Sequence, residues 1–400
     1  MATKLSLSLF LCPLLILINS TLFCDAAASY NVVMRFGAKS NGQSDSTEAF
    51  LQAWAAACAS TESALIYVPK GRYLLRPLIF LGPCKSPHIM FRIDGTLVAP
   101  TDYRVLGGVE NWINFKRVSS VTILGGSLDA KGPALWACKA KPNNSCPTGA
   151  TTLTITYSNN IKIVGLLSLN SQMFHITINH CENVEIKGVR ILAKENSPNT
   201  DGIHLQFSKN IAIFNSSVKT GDDCVSIGPG TQNLLIQRMA CGPGHGISIG
   251  SLAKELEEEG VRNITVKEVV FTKTQNGVRI KSWARPSLGF VKEVQFFNIV
   301  MRNVRNPIII DQNYCPHSID CPNQVSGTKI SDIVYRNIKG TSTKPIVMKF
   351  DCSSKYPCTG IVLEDVNLTS YDDTKVTQSI CAHAHGKSVG LVLPSSCLLK

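Results

Sequence analysis

Four short polar clusters recur along this chain: Asn199-Thr200-Asp201-Gly202, Gly221-Asp222-Asp223-Cys224, Gly244-His245-Gly246 and Arg279-Ile280-Lys281. Asp201 precedes Asp222 by 21 residues, Asp222 precedes His245 by 23, and His245 precedes Arg279 by 34. If the chain winds as a solenoid with one cluster per turn, these residues stack into a single site. Adjacent strands lie ~4.8 Å apart, so three carboxylates, an imidazole and two cations would converge within reach of one sugar ring.

Cleaving a glycosidic bond takes one protonated carboxyl to assist the leaving oxygen and one carboxylate to activate water. Asp201, Asp222 and Asp223 supply both with one to spare. Like charges held this close disfavour joint ionisation, so one aspartate is expected to keep its proton at mildly acidic pH. His245 is placed to hydrogen-bond and tune the acid. Arg279 and Lys281 alternate on one strand and point to the same face, which suits a uronate carboxylate. Gly202, Gly221, Gly244 and Gly246 are expected to keep the cleft floor low. Singly, each cluster reads as a turn, a satisfied loop histidine or the outer face of a strand. Their order, one per coil, is what carries weight. Metal binding is not expected, because the cysteines lack paired Cys-x-x-Cys spacing and the aspartates lack a calcium-loop order. No cofactor is expected either: the glycines from 242 to 250 lack the strand-loop-helix setting of a phosphate loop.

The elements that must position these residues are strands. From about Ser119 a unit recurs in which Asn precedes alternating branched residues. It starts at Asn160, Asn183, Asn210, Asn233 and Asn263, and weaker copies follow at 291–297, 330–335 and 361–368. Period-two alternation marks strands, and a repeat of this length marks a solenoid. The fold class expected is all-β, a right-handed parallel β-helix, with the asparagines stacked as ladders at coil corners. Asp45-Ser46-Thr47-Glu48 opens an Ala-rich segment with capping-box spacing, which predicts a short helix over 45–59 plugging the N-terminal end.

Composition agrees. Charged residues make up 17% of the 400 and no linker-like run occurs, so one catalytic domain over 29–400 is expected. Residues 1–28 read as a secretory signal peptide: a basic start at Lys4, an apolar stretch from Leu5 to Ile18, and Ala26-Ala27-Ala28. That stretch falls short of the ~20 residues of a membrane span, which predicts a secreted, extracellular protein with no membrane partner. Of 15 cysteines, Cys12 and Cys24 leave with the leader. Spacing favours Cys138 with Cys146, Cys315 with Cys321, Cys352 with Cys358, and Cys381 with Cys397. Longer pairs are Cys58 with Cys84 and Cys224 with Cys241, and Cys181 is left unpaired. Such usage fits an oxidising compartment. Sequons stand at Asn143, Asn215, Asn263 and Asn367. The net charge of +12 speeds capture of polyanions. Without an arginine-rich arm or aromatic platform, nucleic acid is a poor partner; an acidic polysaccharide fits, bound by a monomer.

The ordered motifs Asn-Thr-Asp-Gly-Ile-His at 199–204, Gly-Asp-Asp-Cys at 221–224, Gly-Pro-Gly-His-Gly-Ile-Ser-Ile-Gly-Ser at 242–251, Arg-Ile-Lys-Ser-Trp at 279–283 and Asp-Gln-Asn-Tyr-Cys at 311–315 resemble the polygalacturonases of glycoside hydrolase family 28, the plant branch above all. The similarity runs from about Ser29 to the C-terminus. It implies an inverting hydrolase of α-1,4-linked galacturonan, the de-esterified backbone of pectin, acting in the cell wall. Asp222 would carry over as general acid, Asp201 and Asp223 as the pair that holds and deprotonates water, and His245 as support for the acid. Arg279, Lys281 and Tyr314 would bind substrate beside the scissile bond. A hydrolase of a rhamnose-alternating backbone stays open as an alternative. A pectate lyase would need a calcium-binding carboxylate cluster, and a non-catalytic pectin binder would have lost an aspartate. Endo versus exo attack depends on loops and stays undecided.

Overall fold

The computed structural model describes residues 28–141, 145–372 and 376–400. The expected leader therefore lies outside the described residues save for Ala28, as does the Asn143 sequon. Strands stack in parallel into two sheets, one of 11 strands and one of 19. Each turn of chain contributes one strand to the smaller sheet and then one or two to the larger. The crossovers between parallel neighbours take the right-handed sense that such connections adopt. The result is a right-handed parallel β-helix, as expected.

Alternation explains the winding. In the smaller sheet Ile155, Ile178, Leu205, Ile227, Ile249, Ile280, Ile310 and Phe350 occupy one register across eight coils, and all are fully buried. In the larger sheet Val184, Ile211, Leu234, Ile264, Val294 and Ile333 do the same. Each such side chain contributes roughly 1.5–3 kcal/mol by burial, and each needs the coils on both sides to be buried at all. The residues between them face outward.

The asparagine ladder also forms. Asn183, Asn210, Asn233 and Asn263 each donate a side-chain N–H to the asparagine of the preceding coil, at 2.8–3.1 Å. All four have φ between 55° and 58°, a left-handed conformation that asparagine tolerates best among residues with a side chain. The first acceptor is Asn159 rather than Asn160.

A helix, α1 (Thr47–Ala59), covers the N-terminal opening. Phe50 and Trp54 pack their rings on Tyr73, Phe80, Phe91 and Phe115, with centroids 5.1–6.3 Å apart. The expected capping box does not form. Asp45 closes the strand Asn41–Asp45, so the N-cap is Ser46, whose hydroxyl accepts from Lys39 N at 2.9 Å instead. Asp45 Oδ1 takes the Thr47 N–H, and Glu48 pairs with Gln52. At the other end Leu399 N–H donates to Ala384 O, folding the tail back over the last strand. All six disulfides join the cysteines that spacing favours, and Cys181 is free and buried.

Candidate active site

Backbone hydrogen bonds set the clusters one above another. Gly202 N–H donates to Asp223 O at 2.9 Å, His245 N–H to Asp222 O at 2.7 Å, and Cys224 N–H to Gly246 O at 2.7 Å. The three corners thus occupy successive coils at the head of the smaller sheet. Behind them a buried hydroxyl chain fixes the turns: Ser197 Oγ, Thr200 Oγ1 and Thr220 Oγ1 lie 2.6–2.7 Å apart in sequence, and Gly221 N–H also donates to Thr200 Oγ1.

The glycines of these clusters do not form the cleft floor. A Cβ on Gly221 would lie 2.1 Å from Ser197 O, and one on Gly246 2.2 Å from Asn276 O. They are glycine because a neighbouring coil's backbone occupies that space, the preceding coil's at Gly221 and the following coil's at Gly246. The glycines that do border the cavity are Gly228 and Gly250.

Neighbouring aspartates have opposite surroundings. Asp222 is partly open to the cleft, its side chain 20% exposed, and Oδ1 sits 2.9 Å from His245 Nδ1 and accepts Asp223 N–H. Asp223 is buried. Its Oδ1 accepts from Ser248 Oγ (2.8 Å) and Arg279 Nη2 (3.0 Å), and its Oδ2 from Lys281 Nζ (2.8 Å). Burial alone would raise the Asp223 pKa. Lys281 and Arg279 outweigh it and hold the carboxyl below the usual range. Asp201 is the reverse: burial first, then the charges of Asp222 and Asp223, push it well above the usual range, against a hydrogen bond from Ser226 and the charge of Lys281. Of the three aspartates, the upward push falls on Asp201.

All seven residues singled out by the motifs converge here. Arg279 and Lys281 do share one face, but both are engaged by Asp223 rather than standing free. Tyr314 sits beside them, its ring centre 5.9 Å from Arg279 Cζ and 5.3 Å from Lys281 Nζ, with Trp283 edge-on at 5.4 Å. Asp222, Asp223 and His245 place ligand atoms within 4.8 Å of one another. Two cations already on Asp223 oppose a divalent ion there by charge.

Three features of the site were given no role by the motifs. His204 stacks on Phe174 at 4.8 Å and bonds Ser226 Oγ at 2.8 Å, and burial pushes its pKa down to about 4, favouring the neutral ring. It shares the outward register with Ser226, Ser248 and Arg279, and that alternation was the signal available. Phe207 lines the same cavity of about 630 Å³. So do Glu255, Glu257, Glu258 and Glu259, an acidic wall on the loop after Leu252; Glu258 anchors it by accepting Ala253 and Lys254 N–H.

A parallel β-helix that brings three carboxylates, an imidazole and two cations to one cleft is a glycoside hydrolase. The chain belongs to glycosyl hydrolases family 28, whose family model matches residues 58–392. A polygalacturonase of Prunus persica is 56% identical over 398 residues, covering 100% of both chains. An exopolygalacturonase of Zea mays is 39% identical over 376 residues, 91% of this chain and 90% of its own. In fold, the chain resembles an endo-xylogalacturonan hydrolase from Aspergillus tubingensis, with a TM-score of 0.79 at 21% identity, over 91% of this chain and 99% of that one.

Proposed function

We propose that this chain is a polygalacturonase that hydrolyses α-1,4-galacturonosyl linkages of de-esterified pectin with inversion. One observation carries the assignment of roles: of two adjacent carboxylates, Asp223 is sealed between two cations while Asp222 opens onto the cleft. Asp223, buried between two cations, stays ionised and serves as base. Asp222 faces the cleft, so it is the member that reaches the glycosidic oxygen, with His245 fixing its orientation. Asp201 retains a proton and hydrogen-bonds the water that Asp223 deprotonates. In turnover Asp222 gives its carboxyl proton to the leaving oxygen and Asp223 takes one from the attacking water, after which solvent exchange resets both groups. Arg279, Lys281 and Tyr314 flank the scissile bond and receive a substrate carboxylate beside Asp223. Residues 29–400 act as one catalytic domain and as a monomer.

Six disulfides support export to an oxidising space, the cell wall. Among the described residues no helix is long and apolar enough to cross a membrane. A second reading, hydrolysis of a backbone alternating with a neutral sugar, is favoured by the four glutamates on the cavity wall. Reducing ends released from polygalacturonate, against those from fully methyl-esterified pectin and from a rhamnose-alternating backbone, decide between them. Equal rates on the esterified polymer would sink the galacturonate assignment.

A further inference from the structure

His245 stands between two cavities, lining one and bonded to Asp222, which lines the other. Its Nδ1 faces Asp222 in the catalytic cleft, while the ring lines a separate recess of about 570 Å³ at the corners of later coils. Two cations stand in that recess, Lys273 and Arg305, both exposed. Arg305 N–H donates to Thr274 O at 3.0 Å, so the corners carrying them belong to adjacent coils. Strand spacing then puts their backbones ~5 Å apart. Long side chains from such positions can flank one carboxylate. Among the described residues neither cation makes an ion pair, and Glu195 is the one carboxylate lining the recess.

The catalytic cleft has the opposite character. Its two cations beside the reaction centre, Arg279 and Lys281, are taken by Asp223, and its outer wall carries four glutamates. A polyanion therefore meets uncommitted positive charge next to the catalytic carboxylates on the far side of His245. Tyr371, 65% exposed, stands at the end of the recess and offers a ring to a sugar face.

We propose that this recess is an anion subsite, in which Lys273 and Arg305 hold a uronate carboxylate of the same polysaccharide chain that lies over Asp222 and His245. The proposal rests on the galacturonan reading above and adds a second point of carboxylate recognition to it. The subsite holds a sugar other than the two joined by the scissile bond, so it contributes to affinity for long substrates and not to turnover of short ones.

The test uses the full chain carrying Asp222→Asn, with binding of galacturonate trimer and octamer measured calorimetrically before and after adding Lys273→Ala and Arg305→Ala. Octamer affinity should fall about tenfold with a shallower salt dependence, and trimer affinity should stay within about twofold. In the otherwise wild-type enzyme the same two substitutions should raise KM for polygalacturonate about tenfold and leave kcat unchanged. Unchanged octamer affinity overturns the subsite, whether or not the enzyme hydrolyses galacturonan. Equal weakening of trimer and octamer also overturns it, because the carboxylate would then belong to a separately bound saccharide. A wild-type enzyme that releases no reducing ends from polygalacturonate, while octamer still binds through Lys273 and Arg305, removes the hydrolysis reading and leaves the subsite standing.

Discussion

Lys281 Nζ lies 2.8 Å from Asp223 Oδ2, although 58 residues separate the two along the chain, and both side chains are nearly sealed from solvent. The pair is a coil-to-coil contact that also sets the charge of a catalytic carboxylate. Removing one partner leaves a buried charge with less compensation. Lys281→Met should destabilise the fold by roughly 2–4 kcal/mol, below a fully broken buried pair because Arg279 stays. Adding Asp223→Asn should recover most of that stability without restoring activity. Urea midpoints for the two variants check this, and an unchanged midpoint for Lys281→Met would refute the coupling.

Asp201 acts on stability in the opposite sense. Its folded pKa is raised, so the fold is favoured while the group is protonated, below the ordinary carboxylate value of ~3.9. That contribution is lost as pH rises through the raised folded value. Asp201→Asn should therefore stabilise the protein at pH 7 by about 1–2 kcal/mol while abolishing turnover. The gain should vanish below about pH 4. Asp223 runs the other way: its contribution is present above the ordinary carboxylate value and lost as pH falls through its depressed one. Denaturation curves of wild type and Asp201→Asn across pH give the sign directly.

Much of the site was legible because each coil repeats the last. Once the units beginning at Asn183, Asn210, Asn233 and Asn263 are aligned, Asp201, Asp222 and His245 fall on successive corners. What stayed hidden depends on contacts between coils. The glycines at 221 and 246 read as room for substrate, yet the neighbouring backbone fills that room. Arg279 and Lys281 read as free for substrate, yet Asp223 holds both. Asp45 read as a helix cap because spacing does not reveal that a strand extends through it. The glutamates at 255–259 form a wall only because their loop folds over the sheet, and His204, though it closes the motif at 199–204, had no role read for it because its stacking on Phe174 is a contact between coils.

The general acid is the role most open to a single substitution. Asp222→Asn keeps the side-chain volume and removes only proton donation, so kcat should fall by roughly 10²–10⁴ with KM nearly unchanged. Retention of more than about a tenth of wild-type kcat would remove Asp222 from that role.

The asparagine ladder predicts a graded cost at one corner. Asn233 donates to Asn210 and accepts from Asn263, at 2.9 and 2.8 Å, with φ at 55°. Asn233→Ala should cost about 2–4 kcal/mol, the sum of two lost bonds and a left-handed backbone that alanine resists. Asn233→Gly should recover the backbone share. Thermal midpoints of the two variants that coincide would show that the bonds alone matter.

The most direct test of the whole account is proton NMR of polygalacturonate in the first minutes after enzyme is added, before mutarotation. An inverting hydrolase seats water between acid and base carboxyls ~6.5–9.5 Å apart. Carboxylate oxygens of Asp222 and Asp223 come within 4.8 Å, so separation does not carry the prediction. The third carboxylate does, because a retaining site needs one acid/base and one nucleophile, whereas two aspartates sharing one water account for all three. New reducing ends should therefore appear first as the β-anomer. Reducing ends that appear first as the α-anomer, or unsaturated chain ends in their place, would contradict both the reaction and the parts given to Asp201, Asp222 and Asp223.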